Sequence, residues 1–318
     1  MSRTVCITVL PLVNFMIKSM RFFLSLSMLI IISMLVGCTE IAEPAMAEAS
    51  LQPTAEDVTD YPVTVEGLVF SASPKSVASL SPALTEIIAE LGFSDRLVCR
   101  NTYCDYPEEI TSLPAVGSSV NPDIDAISEY NPRLLVSLTP IANKDILTLE
   151  ANGTSVMILD APKNNEELYD LYEKLAMIFC GQLEYAEAAE NALRDYREAI
   201  ESADSSCESI LLILEEFGDT YSVATGSSFA GNYISCFGEN VALSVDSAQM
   251  TASEIIAADP QVILYAYDNT DLSPLSETSA YQNGWIYHID STLIERPTSR
   301  LKNLTTEITE KLRCIAEQ

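Results

Sequence analysis

The sequence predicts an α/β protein of two lobes, each built on a central, mostly parallel sheet and joined by a long backbone helix. Three observations predict it. Short β-branched and apolar runs alternate with helical segments in the first half, residues 165–203 carry helical periodicity without a strand signal, and the alternation resumes after them.

In order, residues 77–80 (Val-Ala-Ser-Leu) read as a strand, Ser81 and Pro82 open a helix, and Gly92 ends it. Strands are expected at 97–99, 134–138 and 156–159, with helices at 124–130 and 145–152 between them. Residues 165–203 divide into two helices at Gly181. The second, 183–203, carries one apolar stripe of Ala186, Ala189, Leu193, Tyr196 and Ile200 at spacings of three and four, and is taken as the long connecting helix. The second lobe repeats the grammar: a strand at 210–214, helices at 229–238 and 253–258, strands at 262–265 and 286–288, and a last helix through Leu312. The cleft between two such lobes is the natural place for a ligand.

The N-terminus reads as a targeting segment. Residues 1–37 contain three basic residues, no acid and an uncharged run from 22 to 37, followed by Leu35, Val36, Gly37 and Cys38 in the pattern of a lipobox. Cys38 is then the expected lipidation site, and the protein sits at the extracytoplasmic face of the cell membrane on a lipid anchor. A membrane-spanning reading is opposed by the length of the run, below the ~20 apolar residues a span requires. Met20, just before Arg21, offers an alternative start. The expected organisation is a signal peptide at 1–37, a lipidated end and flexible tether at 38–73, an N-terminal α/β lobe at 74–162, linking helices at 163–204 and a C-terminal α/β lobe at 205–318.

The chain has 46 acidic and 17 basic residues, a formal net charge of −29, which opposes nucleic-acid binding. Cleavage before Cys38 leaves six further cysteines, none at zinc spacing and expected to be mostly free and buried. Cys99 and Cys104 are the one pair near enough in sequence to invite a bridge. No catalytic or metal residues are assigned, and no cofactor. The sole histidine, His288, lies in a strand-like run, Gly226 and Gly117 do not begin a nucleophile elbow, and no phosphate-binding or dinucleotide loop is present.

A set of ordered segments is more specific. It comprises Val-Ala-Ser-Leu-Ser-Pro-Ala-Leu-Thr-Glu-Ile-Ile at 77–88, Tyr-Cys-Asp-Tyr-Pro-Glu-Glu at 103–109, Leu-Pro-Ala-Val-Gly at 113–117, Asn-Pro-Asp-Ile-Asp-Ala-Ile at 121–127 and Asn-Pro-Arg-Leu-Leu-Val at 131–136. In the second half follow Ala-Thr-Gly-Ser-Ser-Phe at 224–229, Gly-Glu-Asn-Val-Ala at 238–242, Ser-Glu-Ile-Ile-Ala-Ala-Asp-Pro at 253–260 and Glu-Arg-Pro-Thr-Ser-Arg-Leu at 295–301. From about Lys75 to Leu312 the chain resembles the helical-backbone periplasmic binding proteins of ABC importers, in their iron-chelate and vitamin B12 group, and the Tyr-Cys-Asp-Tyr-Pro segment is similar to the cobalamin branch.

The resemblance implies a receptor that captures a corrinoid between its lobes and delivers it to a permease dimer with its ATPase. An iron-siderophore or haem is the alternative ligand, and a surface enzyme or adhesin sharing the fold is the alternative of another class. Tyr103 and Arg296 match ligand-contact positions of the family, while Ser119 and Ala248 stand where the B12 branch has tryptophans. Tyr106 joins them on chemistry, since an aromatic face with a polar tip suits a flat macrocycle edged with amides. Packing on Pro107 is the plainer role for either tyrosine, and a structural ion pair with Glu295 or another carboxylate the plainer role for Arg296. Asp125 and Glu254, each opening a helix that precedes an Asn-Pro or Asp-Pro step, match the carboxylates that dock on permease arginines. Either would also favour a helix N-terminus by itself.

Overall fold

The computed structural model describes residues 60–316 apart from 204 and 206; the leader and Cys38 lie outside the described residues. The first feature corrects the expected tether, which does not run to Ser73. Strands β1 (Val63–Val65) and β2 (Leu68–Phe70) pair antiparallel across a two-residue turn in which Glu66 and Gly67 both have positive φ. Val63, Val65 and Phe70 are buried. Strands of three residues are too short for alternation to stand out in a segment otherwise rich in polar and small residues.

The first lobe is a parallel four-stranded sheet in the order β4-β3-β5-β6, formed by β3 (Val77–Ser79), β4 (Leu97–Arg100), β5 (Leu134–Ser137) and β6 (Ser155–Ile158). The interior strands β3 and β5 are buried at every residue, which is why they read as mainly apolar runs, with the buried serines Ser79 and Ser137 at their ends. Helices α1 (Pro82–Glu90), α2 (Ile124–Tyr130) and α3 (Asn143–Ala151) connect them. Pro82 sits in the first turn of α1, where its missing N–H costs nothing, and Leu84, Ile87 and Ile88 bury one face of the helix.

Two helices follow, α4 (Asn165–Cys180) and α5 (Tyr185–Glu201), of 16 and 17 residues. The bridging role expected of the second belongs to the first. Helix α4 packs against α1 and β1 as well as α5, and also against α6 (Phe229–Ile234) of the second lobe, whereas α5 packs against α4 and the C-terminal helix α10 (Leu301–Ala316). The physical reason is the width of the apolar face. Leu168, Leu171, Tyr172, Leu175, Ala176, Ile178 and Phe179 are all buried on α4, whereas α5 buries only the narrow stripe of Ala189, Leu193 and Tyr196.

The second lobe repeats the first and then extends it. Strands β7 (Ser209–Phe217), β9 (Glu239–Asn240), β11 (Val262–Tyr265) and β12 (Ile286–His288) give a parallel β9-β7-β11-β12 set in the same topological order as β4-β3-β5-β6. Strand β7 runs three residues past the expected Leu214, and there β8 (Thr220–Val223) and then β10 (Gln249–Thr251) join antiparallel. Helices α7 (Ala252–Ala258), α8 (Ser279–Asn283) and α9 (Ser291–Glu295) complete the lobe.

Helix α6 is shorter than the expected 229–238 and lies very close to the preceding strand end. A Cβ on Gly231 would stand 2.0 Å from the Thr225 carbonyl oxygen and 2.4 Å from its carbon. Gly231→Ala is therefore expected to push α6 outward and destabilise the fold by about 1–3 kcal/mol, the usual range for overpacking. Urea denaturation checks it: a midpoint equal to wild type would show that α6 relaxes freely.

Candidate functional site

In a parallel α/β sheet the loops that leave the carboxyl ends of the strands gather on one edge, and ligands bind there. Both sheets present such loops to one cavity of about 410 Å³. From the first lobe come Leu138, just past β5, and Ala161 and Pro162, past β6; from the second come Leu214 and Glu215 within β7, Ser222 within β8, and Ala266 and Tyr267 just past β11. Ser228, Phe229 and Ala230 of the α6 start, and Ser291, Ile294, Glu295 and Pro297 around α9, close it. The wall is mainly apolar, its charged residues are Glu215 and Glu295, and among the described residues no Lys or Arg lines it. The Tyr267 hydroxyl donates to the Glu295 carboxylate, which fixes an aromatic face at the wall.

The loop after β4 carries three of the residues singled out by sequence. Buried Asn101 holds it: its amide donates to the Leu80 carbonyl (2.8 Å) and its side-chain oxygen accepts from the Tyr103 backbone N–H (2.8 Å). Cys104 turns inward to Thr85 Oγ1 at 3.1 Å, and burial pushes its thiol up. With Cys104 as the inward anchor, its neighbours face outward, and Tyr103 is 63% exposed and Tyr106 41%. Cys99 and Cys104 are separate thiols, both buried, and burial pushes Cys99 up to about 12. Cys314, by contrast, is exposed.

Ser119, half-buried, lies in the neighbouring loop, tied to the first where Thr102 N and Oγ1 donate to the Gly117 carbonyl (2.9 and 3.0 Å). Arg296 crosses to the first lobe and pairs with Asp105, a carboxylate other than Glu295. The next arginine, Arg300, also crosses: it donates to Glu86 at 3.1 Å and lies over the Tyr106 ring at 3.9 Å. The structure thus brings Tyr106, Asp105, Arg296 and Arg300 together at the seam, while Tyr103, Tyr106, Ser119 and Arg296 do not themselves line the cavity. Trp285 packs against the main core, and His288 is an exposed residue of β12 beside Asp268 (3.3 Å).

Beneath this seam lies a carboxylate pair, Glu86 buried and Glu90 half-buried, that the sequence does not announce. Glu86 and Glu90 stand one turn apart on α1. Glu86 is 1% exposed and receives Arg300 and Thr298 Oγ1 (3.2 Å); Glu90 accepts from the Tyr172 hydroxyl, which in turn accepts from the Ser299 N–H (2.8 Å). Desolvation raises both carboxyls above the usual range, and burial also raises the Tyr172 hydroxyl. The available signal was a pair of acids among the apolar positions of α1.

The two acids expected to dock are both exposed at helix starts. Asp125 is in the first turn of α2, whose cap is Asp123 accepting from Ala126 N at 3.0 Å. Glu254 completes a capping box with Thr251, accepting from its N–H (2.7 Å) and hydroxyl (2.8 Å), and these bonds hold its carboxyl below the usual range. Counted from their caps, Asp125 is the second helical residue and Glu254 the third, so the match is offset by one. The two helices agree otherwise: each has seven residues and ends on a left-handed residue, Asn131 or Asp259, followed by proline.

Two α/β lobes bridged by a helix, with a cavity at the carboxyl edges of both sheets, define a two-lobed binding protein. The chain belongs to the periplasmic binding protein family, whose model matches residues 77–293. An uncharacterized ABC transporter substrate-binding lipoprotein of Bacillus subtilis, YvrC, is 23% identical over 294 residues, covering 88% of this chain and 93% of that one. A vitamin B12-binding protein of Vibrio vulnificus is 25% identical over 272 residues, covering 79% of this chain and 96% of its own. Among solved structures, the periplasmic heme binding protein HutB of Vibrio cholerae superposes with a TM-score of 0.65 at 19% identity, covering 74% of this chain and 98% of HutB.

Proposed function

We propose that the protein is the substrate-binding lipoprotein of an ABC importer, that it captures a corrinoid between its lobes, and that it passes the ligand to a membrane permease driven by an ATPase. The observation that carries this is the apolar cavity walled by strand ends of both lobes, in a chain whose family match runs through both. A corrinoid offers a broad apolar macrocycle with amide edges, which suits an apolar wall that carries serines and Tyr267, with the exposed Tyr103 and Tyr106 on the loop that leaves the carboxyl end of β4. Vitamin B12-binding relatives aligned over almost their whole length support the same choice. Haem is the second reading, supported by the likeness to HutB and by the exposed Tyr103 phenol, an iron-ligand type.

Titration of the purified protein with cyanocobalamin, haem and ferric siderophores, followed by absorbance, tests it. Cyanocobalamin or a cobinamide is expected to bind at micromolar or tighter affinity without turnover. Tyr103→Ala is expected to weaken that binding about tenfold or more, as loss of an aromatic contact does. Binding of haem or a siderophore alone would move the assignment to the second reading, and binding of none of the three would remove the receptor proposal.

Membrane attachment is proposed through Cys38, outside the described residues, on the lipobox pattern and the lipoprotein relative. Cys38→Ala is expected to leave the chain unprocessed and unlipidated. Mass spectrometry finding the same lipid-modified peptide in the variant would refute the site.

A further inference from the structure

We propose that Asp105 is a charge-selecting residue: by neutralising Arg296 at the seam between the lobes, next in the chain to the cavity residues Glu295 and Pro297, it makes the site accept neutral or cationic chelates and refuse those bearing peripheral carboxylates. The inference rests on the receptor role proposed above and deepens it.

Three observations combine. Arg296 stands in the chain between Glu295 and Pro297, both of which line the cavity, and its side chain is only 16% exposed, which makes it the arginine nearest in the chain to the cavity wall. It is instead engaged across the seam by Asp105, whose own side chain is 64% exposed and forms no part of the core. Arg300, the other guanidinium at the seam, is held by the buried Glu86 and the Tyr106 ring. The charged residues of the wall itself are Glu215 and Glu295.

An incoming carboxylate would have to displace Asp105 from Arg296 and then lie beside Glu295, and the low local dielectric strengthens that repulsion. A ligand with amide edges meets no such penalty, and a cationic one is attracted. Asp105 is thus a specificity residue acting through Arg296. A pure latch between the lobes would change affinity for every ligand in parallel, whereas charge selection changes the ratio between ligands of different charge.

The experiment uses the full processed chain and two probes, cyanocobalamin without net charge and haem with its two propionates. Asp105→Asn is expected to raise haem affinity about tenfold, the scale of a hydrogen bond to a charged group, and to change cyanocobalamin affinity by less than about threefold. Adding Arg296→Gln is expected to return haem binding to the wild-type level, which separates the effect from non-specific haem adsorption. No rise in haem affinity, a parallel change for both ligands, or a rise that persists without Arg296 overturns the proposal. Failure of the wild type to bind cyanocobalamin overturns the corrinoid reading instead, and the haem comparison still decides the role of Asp105.

Discussion

Arg300→Leu is expected to destabilise the protein by about 3–5 kcal/mol, because it removes the partner of a buried charge. The Glu86 carboxylate is 1% exposed, and its remaining side-chain partner is the neutral Thr298 hydroxyl. In the wild type, burial raises this carboxyl and Arg300 holds it down. Without Arg300 only the raising influence is strong, so the native form binds a proton more readily than the unfolded chain over a wider range of pH. A carboxyl whose folded pKa lies above its unfolded value contributes stability below the unfolded value of about 4.5, and that contribution disappears as pH rises through the folded value. The deficit of Arg300→Leu is therefore expected to be largest near neutrality and to shrink as pH falls toward that of an ordinary carboxylate. Urea denaturation of both proteins at several pH values reads this directly. The double variant Glu86→Met/Arg300→Leu, apolar at both positions, is expected to recover much of the loss. A single variant as stable as wild type at neutral pH would mean that water reaches Glu86.

The elements legible in the sequence were those whose burial is uniform. Strands such as β5 and β11 run between two parallel neighbours, so nearly every residue is buried and Leu134–Val136 and Val262–Leu264 form apolar runs. Helix α2 was bounded on both sides by residues with fixed local roles, Asp123 as cap and Asn131 with Pro132 as stop. What stayed hidden was structure defined by partners distant in sequence. The end of β7, with Glu215 and Glu216, reads as a polar loop until β8 pairs with it and exposes alternate residues. The connecting helix was chosen for its clear amphipathic stripe, yet the wider and less periodic apolar face of α4 marks the helix enclosed on more sides.

The site divides the same way. The aromatic loop at 103–106 could be named because its residue types suit a macrocycle, but the direction of its side chains depends on Asn101 and Cys104 reaching back to the strand and helix behind it. Arg296 could be placed near the cleft, whereas its pairing with Asp105, 191 positions away, exists only once the lobes are assembled. The cavity wall draws on both lobes, each segment supplying one to four ordinary residues, so no local motif announces it. Glu86 and Glu90 were concealed for a different reason, since acids on a helix are usually solvated, and here a buried arginine contact and a tyrosine hydroxyl replace the water.

Reversal of both Asp125 and Glu254 to Lys is expected to reduce uptake of labelled cyanocobalamin to background in cells carrying the permease and ATPase, while ligand affinity of the purified variant stays within about twofold. Both carboxylates are exposed at the starts of helices that occupy equivalent places in the two lobes, each leading into the strand that pairs with the first strand of its sheet. If each meets a permease arginine, one contact per lobe sets orientation, and reversal converts two attractions into two repulsions. Neither residue lines the cavity, and screening over about 8 Å at physiological salt limits their influence on a bound ligand. Glu254 requires its own control because its carboxylate also closes the capping box with Thr251, which a lysine cannot do. Glu254→Gln keeps a capping side chain and removes the charge, so Asp125→Asn/Glu254→Gln separates docking from helix stability. The neutral pair is expected to show an intermediate uptake defect whose gap to wild type narrows as salt rises, since salt screens the attraction only the wild type has, with an unchanged unfolding midpoint. Wild-type uptake by the folded, ligand-binding double-lysine variant would show that the two acids serve their helices and not the permease.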